Sequence, residues 1–319
     1  MKKMSPWSVI TKSLAGNPEN TQRRYATLLR QFCKHLGGEP ETPRGQVLLM
    51  AAVLEDVLDF LAEMRKRPGQ FGKGTADETI RNTFGALRGI YRRLLAAGLV
   101  KINPFDLAKG ALSWRQRTQV RPTQIIPFDK VWELLDLPAG NTSCGIRDRA
   151  LLSLMLGGGL RRSEARNVRL QDVMVSSAET LYINIPETKA GRGRQQPLAP
   201  WSAARFSALV CQRRDEGAQS NDFLFVFYYA TGKVRGQISE STGYRTFRDY
   251  CAQLGIKAAP HAARATAASM LHKQGYNERQ IADFLGHASL RMVPTYIKLA
   301  RGVEENAGKT LEFPRAANG

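Results

Sequence analysis

Apolar residues recur at helical spacing through most of this chain, and only short stretches break that rhythm. Leu28, Leu29, Phe32 and Leu36 form a stripe on a helix expected from about Gln22 to Leu36, with Asn20-Thr21 placed to cap it. Val53, Val57, Phe60, Leu61 and Met64 mark the inward side of a second helix, roughly Leu48 to Lys66. Ile80, Phe84, Leu87, Tyr91 and Leu94 do so for a third, about Ala76 to Ala97, which Gly98 ends. A short further helix fits before Lys109. Later helices are expected near 129–135, 146–157, 202–216, 242–254, 262–274 and 278–285. By contrast, 181–185 and 196–199 read as strands joined through a loop at 189–194, and 223–227 fits either a strand or a buried extended connector. The pattern predicts a mainly α protein with a small antiparallel β-sheet. It divides into a helical domain over 1–110, a linker over 111–127 and an α+β domain over 128–319 with a tail from about 297.

Charge limits the partners. The 319 residues carry 47 Lys and Arg against 28 Asp and Glu, a formal net charge of +19, spread along the whole chain. Such a surface favours a polyanion, with nucleic acid ahead of an anionic membrane surface. No apolar run is long enough to span a bilayer, and the basic start Met1-Lys2-Lys3 lacks the apolar stretch of a secretory signal. The four cysteines lie far apart, form no C-x-x-C, and are expected as reduced core or half-buried residues. In the helical domain, Arg23, Arg30 and Lys34 form one basic stripe and Arg81, Arg88 and Arg92 another. Each stripe fits a solvated helix face as well as a phosphate-binding one. The linker, with Arg115 and Arg117 beside Trp114 and prolines further on, suits an extended strap over a phosphate backbone.

One ordered constellation carries chemistry. Gly159-Leu160-Arg161-Arg162-Ser163-Glu164 is followed by Thr188-Lys189-Ala190-Gly191, with Arg192 and Arg194 on the same loop. His261-Ala262-Ala263-Arg264 comes next, then Leu285-Gly286-His287, with Tyr296 nine residues beyond His287. A phenol among fixed cations suits attack on a phosphodiester, because Arg and His⁺ donors can hold the charge that builds up on phosphorus. No acidic cluster has the spacing of a two-metal nuclease, and no cofactor is expected.

These motifs in this order resemble the tyrosine recombinases, the phage-integrase-type enzymes that include Xer-type and Cre-type members. The resemblance is specific from Arg161 to Tyr296 and architectural before it. It implies a DNA-binding first domain and a catalytic second domain clamping opposite faces of a duplex. Arg161 and Arg264 would clamp the scissile phosphate, with Glu164 orienting the cations. Lys189 would be the general acid toward the leaving 5′ oxygen, with Arg192 and Arg194 touching neighbouring phosphates. His261 and His287 would donate hydrogen bonds or manage the proton of Tyr296, the nucleophile that forms a 3′-phosphotyrosine. Arg162 departs from the family's often apolar residue. The resemblance further implies a homotetramer on paired double-stranded sites with inverted repeats, passage through a Holliday junction, and a cytoplasmic, nucleoid-associated life in a bacterium or phage. Leu299, Val303, Ala307 and Leu311 form a tail stripe able to pack in cis or on a neighbouring protomer. A type IB topoisomerase, a telomere resolvase and a catalytically silent DNA-binding accessory protein are the alternatives left open.

Overall fold

The computed structural model describes residues 6–67, 75–111, 124–186, 193–287 and 293–294. The chain divides into two compact units, Met1–Gln119 and Val120–Gly319.

The first unit is helical in its described residues: α1 (Pro6–Leu14), α2 (Glu19–His35), α3 (Pro43–Ala51), α4 (Leu54–Lys66), α5 (Asp77–Ala96) and α6 (Pro104–Ala111). Phe32 of α2 lies at its centre, edge-on to Phe60 (5.1 Å between centroids) and Phe105 (5.3 Å). Buried Tyr91 donates its hydroxyl to the Leu49 carbonyl at 2.8 Å, tying α5 to α3. Three expectations are corrected. Helix α2 starts at Glu19 after Pro18, without a side-chain cap from Asn20 or Thr21. The helix expected over 48–66 is two helices. Ala52 and Val53 are extended, and Asp56 accepts the Val53 N–H at 2.8 Å to start α4, where an acid suits the positive end of the helix dipole. Val53 is consequently 56% exposed and does not face the core.

The second unit begins, in its described residues, with α7 (Val131–Asp136), α8 (Ser143–Gly157) and α9 (Arg162–Arg166). Then come β1 (Val173–Val175), β2 (Leu181–Ile185), β3 (Arg194–Pro197) and α10 (Pro200–Asp215). The hairpin strands β4 (Val226–Tyr228) and β5 (Val234–Gln237) precede α11 (Glu240–Gln253), α12 (His261–Lys273) and α13 (Glu278–Leu285). Helix α8 is buried on nearly every side, which is why its apolar residues show no single face. Around it gather Leu134, Leu160, Ile183, Phe206, Phe225 and Phe247. The β-structure is two small antiparallel sheets, β1-β2-β3 and β4-β5. Strand β3 starts two residues earlier than expected, so Arg194 pairs with Ile185 inside the sheet and does not lie on the loop. Among the described residues no helix is long and apolar enough to cross a membrane. Cys33 and Cys251 are buried, and burial lifts each thiol to about 11. Cys144 and Cys211 are exposed, contrary to expectation, because Cys144 lies in the first turn of α8 and Cys211 on the outer side of α10.

Adjacent Arg147 and Asp148 on α8 are both nearly inaccessible, at 7% and 6%. Arg147 donates to Asp148 at 2.8 Å and to the Val226 carbonyl at 3.0 Å, and Asp148 accepts from the Tyr250 hydroxyl at 3.2 Å. Burial raises the Asp148 carboxyl above its ordinary range, while Arg147 and Tyr250 hold that rise in check. The pair thus bolts β4 and α11 onto the central helix. Asp148→Ala should cost about 3 kcal/mol or more by leaving the Arg147 charge buried without a carboxylate. Asp249→Ala, which breaks the exposed pair with Arg248, should stay within about 0.5 kcal/mol. Urea unfolding of the two variants measures the contrast.

Candidate active site and nucleic-acid interface

The site is built on backbone carbonyls and one carboxylate. After α8 the chain turns through Gly159, whose φ is +57° and whose added Cβ would lie 2.5 Å from the Phe284 ring. Only a glycine lets the chain pass there so close to α13. Arg161 follows in extended conformation at the start of α9. Buried Glu164 holds it twice, accepting the Arg161 backbone N–H at 2.9 Å and its guanidinium at 2.5 Å. The same carboxylate accepts Arg194 of β3, Nη2 to Oε2 at 3.0 Å. Burial pushes the Glu164 carboxyl up, but the Arg194 and Arg161 donors outweigh it and hold the group below the usual carboxylate range.

Arg264, on the first turn of α12, is 2% exposed. Its guanidinium donates to the Gly159 carbonyl at 2.5 Å and to the Leu285 carbonyl. It therefore joins the turn that delivers Arg161 to the end of α13, where Gly286 adopts a left-handed φ of +61° and hands the chain to His287. His261 opens α12. Partial burial, then the Arg264 and Arg161 charges, lower its pKa. His287 is pushed down further, to about 4, by burial, Arg264, Arg161, His261 and Arg194. The structure thus gathers Arg161, Glu164, Arg194, His261, Arg264 and His287 into one electropositive wall whose imidazoles are shifted toward the neutral form. Such a wall is arranged to receive a negative group.

Lys189, Arg192, Tyr296, Arg115, Arg117 and the tail stripe from Leu299 to Leu311 lie outside the described residues. Arg194, expected at neighbouring phosphates, turns inward with its side chain only 12% exposed. In the first unit, Arg23, Arg30, Lys34 and Arg92 are exposed, and Arg81 and Arg88 are half-buried. Several meet acids of their own unit: Arg30 pairs with Glu41 at 2.6 Å, Arg23 with Glu19 at 3.5 Å, and Arg88 and Arg92 both with Asp106. Sequence reasoning missed Gln196, a 2% exposed side chain that accepts from Arg194 at 3.0 Å. It gave Arg162 no role. That guanidinium lies over the Tyr244 ring at 5.6 Å and 3.6 Å from Glu240, bracing α9 on α11.

The described architecture is that of an integrase-type recombinase. A DNA-bound lambda integrase dimer on a COC′ core site superposes with a TM-score of 0.63 at 17% identity, covering 98% of each chain. The XerH recombinase in its pre-cleavage complex with difH gives 0.62 at 17% identity, over 92% of this chain and 81% of that one. The phage integrase family model matches residues 124–302, more than half of the chain, and the chain belongs to that family. Among similar proteins, the tyrosine recombinase XerA of Pyrococcus furiosus is 25% identical over 295 residues, spanning 90% of this chain and 86% of XerA. XerD of Mycobacterium tuberculosis is 28% identical over 295 residues, spanning 88% of each.

Two measurements follow from this geometry. The His287 ring, titrated by NMR, should stay neutral in the DNA-free protein until about pH 4. The unfolded chain takes up that proton near pH 6.5. Stability should therefore fall as pH drops from about 6.5 toward 4 and be insensitive to this group above that window. His287→Gln should flatten that segment of the stability profile, and a ring titrating near 6.5 would refute the assignment. Asp106→Asn should release Arg88 and Arg92, tighten non-specific duplex binding and steepen its salt dependence by up to about two counterions. Binding isotherms at several salt concentrations give the slope; an unchanged slope would mean that these arginines face no phosphate.

Proposed function

We propose that this site-specific DNA recombinase cleaves and rejoins DNA with Tyr296 as nucleophile. The single observation that carries the reading is the wall formed by Arg161, Arg264 and the two uncharged histidines, held rigid before any phosphate arrives. Arg161 and Arg264 stabilise the charge on the non-bridging oxygens as the Tyr296 oxygen attacks. Each is pinned by an acceptor of its own, so little reorganisation accompanies the step. His261 and His287 are neutral in the resting site, so either can accept a proton or donate a hydrogen bond as phosphate charge builds. Lys189 protonates the departing 5′ oxygen, and the 3′-phosphotyrosine retains the phosphodiester energy for rejoining by a partner strand's 5′ hydroxyl.

The basic stripes Arg23, Arg30, Lys34 and Arg81, Arg88, Arg92, with Arg115, Arg117 and Arg192, supply contacts to the phosphate backbone. The overall charge of +19 favours that assignment. The substrate is a double-stranded core site flanked by inverted repeats; that the similar lambda integrase was solved on a COC′ core site and XerH on its difH substrate supports the DNA partner. Four protomers exchange strands there through a Holliday junction, in the bacterial cytoplasm at the nucleoid or in a phage-infected cell. The apolar stripe Leu299, Val303, Ala307 and Leu311 joins neighbouring protomers.

A nicked suicide site tests the chemistry. Tyr296→Phe should bind that site as the wild type does and give no covalent adduct on denaturing gels. An adduct from this variant would place the nucleophile elsewhere. Lys189→Ala should be slow on a normal site and recover on one with a bridging 5′ sulfur, whose thiolate leaves without a proton. Equal slowing on both substrates would remove Lys189 from the general-acid role.

A further inference from the structure

We propose that Arg194 is a positioning residue for cleavage, acting through the shared carboxylate of Glu164 to set Arg161 and through its flat face to set the Gly286–His287 turn. The proposal rests on the recombinase reading above. Its first support is direction. A residue that holds DNA phosphate keeps its guanidinium at the surface, but the hydrogen bonds of Arg194 run inward. Nε donates to Gln196 Oε1 at 3.0 Å, Nη2 to Glu164 Oε2 at 3.0 Å and Nη1 to Glu164 Oε1 at 3.5 Å. Gln196 is itself 2% exposed and sits two residues along β3, so the guanidinium is fixed at both ends. Register reinforces this, because Arg194 is paired with Ile185 in the sheet.

The second support is charge. Glu164 is buried, and a buried carboxylate with one cationic partner binds it tightly. Were Arg161 that sole partner, Glu164 would compete with the scissile phosphate for the same guanidinium. Arg194 shares the carboxylate, so Glu164 orients Arg161 without cancelling its charge. The third support is shape. A Cβ placed on Gly286 would lie 2.5 Å from Arg194 Nη1, 2.8 Å from Cζ and 2.9 Å from Nε. The guanidinium plane therefore lies against the Gly286 backbone, at the residue that turns the chain into His287. Lysine offers one charged point and no plane, so it cannot reach Gln196, bridge Glu164 and support the turn together.

The test is a double-mutant cycle on a nicked suicide site, read as single-turnover adduct formation at saturating DNA, with affinity measured separately at several salt concentrations. Arg194→Lys and Arg194→Met should each slow adduct formation roughly 10- to 100-fold, the scale expected when a catalytic group is displaced by about an ångström. Affinity and its salt slope should match wild type. Arg194→Met combined with Glu164→Gln should be no slower than the slower single variant, because both act on one carboxylate. Multiplying defects would show that Arg194 works independently of Glu164 and overturn the proposal. So would a salt slope lowered by about one counterion with an unchanged cleavage rate, the signature of a direct phosphate contact. If Arg194→Met fails to fold, Arg194→Lys decides: wild-type cleavage by that folded variant overturns the idea. An inactive wild type, or an adduct from Tyr296→Phe, would count against the recombinase reading itself and leave a distinct record from either result above.

Discussion

The catalytic unit depends on a positive charge placed where water does not reach. Arg264 is 2% exposed, and burying a guanidinium is costly unless its donors find partners. Two of its partners are the Gly159 and Leu285 carbonyls. The two carbonyls belong to segments more than a hundred residues apart, the end of α8 and the end of α13. The same side chain therefore sets the field and fixes the two turns that deliver Arg161 and His287.

That field explains the state of the histidines. Both lose basicity to burial first and then to the surrounding arginines. A site that lowers imidazole pKa values is one whose cations repel further positive charge. It is therefore incomplete electrostatically until an anion enters. A phosphate beside these groups would make the local potential less positive, and the imidazoles would then gain affinity for protons as phosphate charge builds. Glu164 is the exception, a negative group inside a positive wall, and its two arginine donors keep it ionised. It acts as an internal brace for the guanidinia more than as a member of the phosphate-binding surface.

Much of this was readable before the fold. Helix α13 is expected at 278–285 and is found there, and Gly286 after it takes the left-handed conformation that glycine readily adopts. The grouping of Arg161, His261, Arg264 and His287 was legible from motif order. What sequence could not show was direction. Arg194 and Arg192 look alike in a basic loop, and only the strand register two residues earlier than expected turns Arg194 inward. The break at Ala52–Val53 was hidden because apolar periodicity runs through it; the acid at Asp56 was the available signal. Helix α1 and strands β1 and β5 gave no pattern strong enough to read, being short, and β1 and β5 bury almost nothing; the 223–227 segment fits both of its readings, a connector up to Phe225 and then strand β4 from Val226.

The basic stripes of the first unit show why net charge is a poor measure of DNA affinity. Arg30 is held by Glu41 and lies over Trp7, while Arg88 and Arg92 share Asp106. A guanidinium already paired gains less from a phosphate than a solvated one, because a carboxylate must be surrendered in exchange. Such exposed pairs are individually weak, about 1 kcal/mol or less, so a polyanion can displace them. The exchange is favourable only where several phosphates arrive together in register with the stripe. If the stripes meet a duplex, internal carboxylates would penalise isolated, misregistered contacts more than a fully seated one. These carboxylates are already subtracted in the net charge of +19, so that figure gives the excess of cations but not which arginines have an acid beside them.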